Sequence, residues 1–238
     1  MFYIQAKQIA KKYGSRSVVK DVNFKVDKNE KIAVIGPNGA GKTTTLEILV
    51  GLRSYDEGEV VHWSSSYKEH IGVQLQSVPF FPGLTALENL RLFSAFYKKK
   101  LTKEEARELL VKCQIVDAKD TEASKLSGGQ QKRLAIATAL VHDPELVFLD
   151  EPTAALDPRS RISTHNLINQ LFLEGKTIVF TTHDMDEVVK LATRVVMIDD
   201  GRVITEGNPV QLCKEHRVND LEQLYLKLTD HSFHPIEC

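Results

Sequence analysis

The run Gly36-Pro37-Asn38-Gly39-Ala40-Gly41-Lys42-Thr43 meets every specified position of the pattern G-x-x-x-x-G-K-[ST]. The β-rich piece Lys31 to Ile35 leads into it. Lys42 to Val50 follows, with Leu46, Leu49 and Val50 on one helical side and Gly51 ending the pattern. Strand, glycine-rich turn and helix in this order leave few folds open. The glycines let the backbone wrap closely around a phosphate, with N–H groups pointing inward and a helix N-terminus behind them. Lys42 is then placed to reach β- and γ-phosphates and the Thr43 hydroxyl to ligate Mg²⁺. Thr44, next in the chain, joins them as a nucleotide contact. A chance match in a glycine-containing turn is the competing reading, and the flanking strand and helix argue against it.

The chain has 238 residues, 42% hydrophobic and 26% charged, with a net charge of −1. Those values suit a soluble globular protein with a real core, and they point to no nucleic-acid partner. Cys113, Cys213 and Cys238 are widely spaced and form no metal-ligand cluster, so they read as free thiols in a reducing compartment. No apolar stretch approaches the roughly 18 to 20 residues of a membrane span. No secretory signal is visible at the start. The expectation is a cytoplasmic protein.

Short β-rich pieces are expected at Tyr3 to Ile9 and Val18 to Val26, broken by Gly14, with further strands at Glu59 to Trp63 and Ile71 to Leu75. From Thr85 to Leu140 the pattern is helical. Thr102 with Glu105 makes a capping box there, and a last helix of the block begins near Ser127 or Gly128. Strand and helix then alternate: Leu146 to Asp150, Pro158 to Leu173, Thr177 to Thr181, Asp184 to Leu191, Arg194 to Ile198, and a strand at Val203 to Thr205. This alternation predicts an α/β fold with a mostly parallel sheet, into which the helical block is inserted. The polar end Asp230 to Cys238 is expected to fray.

Leu146 to Leu149 make a buried strand, and Asp150 and Glu151 emerge at its C-terminal end, where ligands bind in open α/β sheets. Asp150 is placed to hold Mg²⁺, directly or through water, and Glu151 to polarise the water that attacks the γ-phosphate. Solvated acids at an ordinary strand end would look the same in isolation.

Together these runs resemble the ATP-binding subunit of an ABC transporter, over nearly the whole chain and in the family's order. Gly36 to Thr43 is similar to the Walker A motif, Leu146 to Glu151 to Walker B, and Leu126-Ser127-Gly128-Gly129-Gln130 to the family signature. Gln76 matches the Q-loop glutamine, Ala155-Leu156-Asp157 the D-loop and His183 the switch histidine; Tyr13 stands where the family has an aromatic that stacks on adenine. The resemblance implies a P-loop NTPase core, an N-terminal antiparallel β subdomain and an inserted helical subdomain. It implies one ATPase domain over 1–238: 1–76 with the β subdomain and the Walker A part of the core, 77–140 helical, 141–207 α/β core, 208–238 a short helical extension.

The resemblance also implies ATP hydrolysis with Mg²⁺. Gln76 would contact Mg²⁺ or the attacking water, and His183 would sense the γ-phosphate. Ser127 and the N–H groups of Gly128 and Gly129 open a helix, a second anion site of hydroxyl plus helix dipole. In the family that site, with Gln130 and Asp157 nearby, faces ATP held by the Walker A of a second subunit, in a head-to-tail dimer. The partner is a second copy or a paralogous subunit.

Separate transmembrane permease subunits are the further partners implied, keeping the chain peripheral on the inner face of the cell membrane. In the family the stretch Ser77 to Thr85, with Phe80 and Phe81, docks them; packing of both rings into the helical subdomain is the alternative. The runs Ile71 to Gln76 and Thr182 to Glu187 look most like exporters of drugs, peptides or polysaccharides. Ala154-Ala155 departs mildly from the family's D-loop, and the chain stops too early for the regulatory β domain of some sugar importers. A soluble ABC-type ATPase serving cofactor assembly is the alternative function.

Overall fold

Strands β1 (Phe2–Tyr13) and β2 (Arg16–Asp27) form an antiparallel hairpin that closes at Tyr13↔Arg16. Both run beyond the expected Tyr3 to Ile9 and Val18 to Val26. The apolar pattern stops short, but the two-residue turn at Gly14-Ser15 keeps the polar ends paired as an exposed ribbon. On its other edge β1 takes β4 (Glu57–His62), in register Ile4↔His62, giving the order β2-β1-β4. Ile4, Ile9, Val19, Val22 and Val26 are fully buried in this sheet.

The computed structural model describes residues 1–76 and 80–229. They divide into two compact units, Met1–Trp63 with the chain from Val179 onward, and Ser64–Ile178. The expected fraying of Asp230 to Cys238 and the segment Ser77 to Pro79 lie outside the described residues. In the first unit β3 (Lys31–Ile35) pairs in parallel with β8 (Arg194–Asp199), and β8 turns back into antiparallel β9 (Arg202–Gly207). Arg194 anchors this strand pair with a two-pronged fork onto Glu30, at 3.1 and 2.9 Å, and a third bond to Glu206 at 2.9 Å. Helices α1 (Lys42–Leu49), α6 (Met185–Leu191), α7 (Pro209–Glu215) and α8 (Leu221–Thr229) complete the unit.

In the second unit β5 (Ile71–Gln74) and β6 (Leu146–Leu149) are parallel, from Ile71↔Leu146 to Gln74↔Leu149. The helical block resolves into α2 (Ala86–Phe96), α3 (Lys103–Lys112) and α4 (Gly128–Leu140), followed after β6 by α5 (Pro158–Leu173). Each of the first three opens with a capping box: Thr85 with Glu88, Thr102 with Glu105, Ser127 with Gln130. Strand β7 (Thr177–Thr181) starts in this unit and ends in the other. The fully buried Asn89 side chain accepts from Phe81 N at 3.1 Å and lies within 3.2 Å of the Phe81, Leu84 and Thr85 carbonyls. It shapes the turn before α2. Phe81 packs edge-on against Phe93 at 6.4 Å, as the packing alternative expects for that ring, yet stays 44% exposed.

Beyond α4, the His142 ring stacks on Tyr97 with centroids 3.6 Å apart. Its Nε2 donates to the Ile71 carbonyl at 3.1 Å, which leaves Nδ1 as the unprotonated nitrogen, buried and without a partner. Burial above all, with the Lys99 and Lys176 charges, lowers the His142 pKa from 6.5 to about 4. The unfolded chain therefore takes a proton below pH 6.5 that the folded chain refuses until about pH 4. Stability from this site is present above the unfolded value and is lost as pH falls through that window. Urea unfolding at pH 7 and pH 4.5 should show a smaller acid loss for His142→Phe than for the parent. Equal losses would remove His142 from the acid response.

Candidate active site

The phosphate-loop part lies in the first unit. Strand β3 delivers the chain to Gly36 at φ 149°, where a Cβ would stand 1.9 Å from the Ile198 carbonyl oxygen of β8. Gly41, at φ 100°, caps α1, and a Cβ there would meet the Val18 carbonyl oxygen of β2 at 2.5 Å. Neither position tolerates a side chain. Behind the loop, the Gly201 N–H donates to the Ala40 carbonyl at 2.9 Å and the Lys20 N–H to the Gly201 carbonyl at 2.7 Å. Pro37, Asn38 and Gly39 form the exposed tip. Lys42 is 7% exposed, and its ammonium donates to the Gly36 and Pro37 carbonyls at 2.8 and 3.0 Å. Thr43 is exposed and Thr44 half-buried on the first turn of α1.

The same unit carries His183. The Thr182 N–H donates to the Val34 carbonyl of β3 at 3.3 Å, so the exposed His183 follows directly on a residue in register with the strand that feeds the loop. The turn is braced on both sides. The Thr182 hydroxyl donates to the buried Glu187 carboxylate at 2.8 Å and accepts from the Asp184 N–H at 3.0 Å. Asp184 in turn caps α6 through the Asp186 and Glu187 N–H groups, so that helix begins one residue later than expected. Tyr13 ends β1, 42% exposed; its phenol oxygen accepts from Arg53 Nη1 at 2.5 Å, and Arg53 lies 5.5 Å from its ring centroid. Sequence reading did not pair these two.

The carboxylate part lies in the second unit. Asp150, 5% exposed, follows β6, and its N–H donates to the Gln74 carbonyl at 2.9 Å. The buried Gln74 amide reaches the Leu75 and Asp150 carbonyls at 2.6 and 3.2 Å, clamping the strand ends together. Glu151 adopts φ 48°, a left-handed backbone that costs a residue with a Cβ roughly 1–2 kcal/mol. Gln76 Nε2 lies 3.5 Å from the Glu151 carboxylate, so these two expected site residues meet. The Glu151 carbonyl accepts from Lys132 Nζ at 2.7 Å, a contact that sequence reading missed. Burial lowers the Lys132 pKa, opposed by the charges of Glu151 and then Asp150.

Ser127 caps α4 as expected: its Oγ accepts from the Gln130 N–H at 3.3 Å, and the Ser127 N–H donates to Gln130 Oε1 at 2.9 Å. Gly128 and Gly129 form the first helical residues. Asp157 caps α5, accepting from the Arg159 and Ser160 N–H groups at 3.0 and 3.1 Å, with Pro158 behind it. The Ser160 contacts, side chain first, hold its carboxyl below the usual range.

Residues 19–154 match the family described as ABC transporter. The chain is 34% identical over 239 residues to the linearmycin resistance ATP-binding protein of Bacillus subtilis (strain 168), covering 97% of this chain and 77% of that one. It is 36% identical over 233 residues to the Nod factor export ATP-binding protein I of Burkholderia orbicola, covering 93% and 76%. Among solved structures, an ATP-binding subunit of an ABC transporter superposes with a TM-score of 0.85 at 26% identity, covering 96% of this chain and all of that one. A bacterial ABC transporter cassette solved as a dimer gives 0.77 at 31% identity, covering 86% and 98%. The chain belongs to the ATP-binding cassettes of ABC transporters. It has their P-loop α/β fold and is an ATPase of the kind coupled to transport.

Gly41→Ala adds a methyl group both to a left-handed backbone and against Val18. ATP affinity should fall by about tenfold or more, with a lower melting temperature, as read by nucleotide titration and thermal unfolding. Parental affinity would show that the loop relaxes without that glycine.

Proposed function

We propose that this ATPase, acting as a single domain, powers an exporter through ATP-driven closure of a head-to-tail dimer against separate permease subunits. The observation that carries this is the presence, on one chain, of two structures suited to phosphate. One is the Gly36 to Thr43 cradle; the other is the start of α4 at Ser127, Gly128 and Gly129. A triphosphate held by the first has no need of the second in the same chain, so the second serves a partner. The dimeric cassettes among the solved relatives support this. The relative named for Nod factor export supports the direction of transport, and it favours transport over a role in cofactor assembly.

In this reading the loop N–H groups, Lys42 and Thr44 bind the ATP phosphates, and Tyr13 meets the adenine. Thr43, Asp150 and Gln76 would hold Mg²⁺. They suit it: a hydroxyl, a carboxylate and a side-chain amide offer the hard oxygen donors that Mg²⁺ takes, one or two at a time, beside phosphate and water. Mg²⁺ would neutralise charge on the phosphates. Glu151 polarises the attacking water, Gln76 holds that carboxylate in place, and His183 contacts the γ-phosphate. The partner's Ser127 to Gln130 and Asp157 complete the pocket.

No helix among the described residues is long and apolar enough to cross a membrane. In this reading the chain sits on the cytoplasmic face through the permease, with Phe80 and the half-exposed Phe81 in the docking surface.

Glu151→Gln keeps the shape but removes the base, so turnover should fall by about a hundredfold or more while ATP still binds. With Mg-ATP the variant should elute as a dimer in sizing chromatography; monomer alone at high protein concentration would refute closure of the isolated subunit. Replacing Phe80 and Phe81 together by Ser should weaken co-purification with the native membrane subunits. Unchanged binding and transport would remove these rings from the docking surface.

A further inference from the structure

Helix α4 carries the Ser127–Gln130 run at its N-terminus and Lys132 one turn further along, on the side of Gly128. The Lys132 ammonium crosses to the Glu151 carbonyl at 2.7 Å. That carbonyl also lies 3.3 Å from the Ala154 N–H, which closes the turn after β6. Glu151 is the residue held at φ 48°, and Ala155, at φ 60°, closes the same segment. Left-handed backbone at two residues with side chains persists only where surrounding contacts hold it. The Glu151 side chain direction follows from that backbone, and Gln76 meets its carboxylate at 3.5 Å.

Lys132 is part-buried at the junction of α4 and β6, close to two carboxylates. A long, flexible cation placed there loses hydration and rotamer freedom. Its hydrogen bond to a backbone carbonyl, rather than a simple ion pair at the surface, makes it a clamp on the chain path.

We propose that Lys132 is a positioning residue that makes the Glu151 backbone follow the movement of α4, so that occupancy of the partner's ATP site sets the aim of this subunit's own carboxylate. The proposal rests on the reading of Glu151 as the water-polarising group and of the α4 N-terminus as facing the partner's phosphate. The helix is continuous over thirteen residues, and Gly128 and Lys132 are joined by a single hydrogen-bonded turn of it, the short path by which a displacement at one reaches the other. Contact at one nucleotide is thereby converted into base geometry at the other.

The test is steady-state ATP hydrolysis by the full chain, at protein concentrations where activity no longer rises with concentration. Lys132→Met, of similar length but without a donor, should lower kcat about tenfold and change KM for ATP less than about threefold. Its Hill coefficient should fall toward one. Lys132→Gln and Lys132→Arg both keep an N–H donor and should restore kcat to within about threefold of the parent. Thermal unfolding of each variant checks the fold, and Lys132→Ala replaces the Met variant should that one fail to fold.

Parental kcat and cooperativity in the donor-free variants, with Glu151→Gln inactive, would overturn the positioning role alone. A loss that Gln and Arg do not restore would overturn it as well. Parental turnover by Glu151→Gln would overturn the reading of Glu151 and the proposal with it.

Discussion

Two points of backbone contact govern the nucleotide half of this protein: Gly36 against the Ile198 carbonyl and Gly41 against the Val18 carbonyl. At these places main chain lies where a β-carbon would otherwise stand. Three segments far apart in sequence must therefore converge on the loop: β2, the end of β8, and the β8–β9 turn. The surrounding hydrogen bonds, from Gly201 to Ala40 and from Lys20 to Gly201, register that convergence. The Lys20–Asp200 ion pair at 2.7 Å beside them is largely exposed on the Asp side, and pairs of that kind contribute about 0–1 kcal/mol. Steric fit, with backbone hydrogen bonding, decides the loop's shape.

The carboxylate half uses a different device. There the strand ends are joined by side chains that bond to backbone: Gln74 to the Leu75 and Asp150 carbonyls, Lys132 to the Glu151 carbonyl. Main chain so held can keep Glu151 in a conformation that isolated peptides avoid. The two halves thus reach rigidity by different routes, one by leaving side chains out and the other by spending them on the backbone. Division of the chain into two compact units matches that difference.

Much of this was legible in the sequence where local chemistry decides. Strands β3 and β7 and helix α5 occupy the residues that periodicity and flanking Gly, Pro and Asp mark out. The glycine spacing of the loop was readable because the phosphate-loop pattern fixes it, although the main chain that presses on Gly36 and Gly41 comes from Ile198 and Val18, which the pattern does not mark. Other features depend on distant partners and left no local trace. The polar ends of β1 and β2 pair only because the turn between them is so short. The contact of Arg53 with Tyr13 joins strand and post-helical loop across forty positions. Lys132 had a partial signal, its place one turn beyond Gly128, but its acceptor is a carbonyl, which sequence pattern does not mark. The cap at Thr85 follows the same rule that found Thr102, and so does Gln130 as the second half of the box whose start at Ser127 was expected; neither had been paired because the whole block reads as one helical stretch.

The three capping boxes of the helical block differ in charge. Helices α2 and α3 close theirs with glutamate, placing a negative charge on the first turn, whereas α4 closes its own with the amide of Gln130 and has no acidic residue there. A carboxylate at such a position usually stabilises a helix by about 0.3–1 kcal/mol. By forgoing it, α4 keeps the full positive end of its dipole unneutralised. The start of α4 thus leaves its positive end to whatever negative charge lies outside the helix, while α2 and α3 each meet theirs with a glutamate of their own.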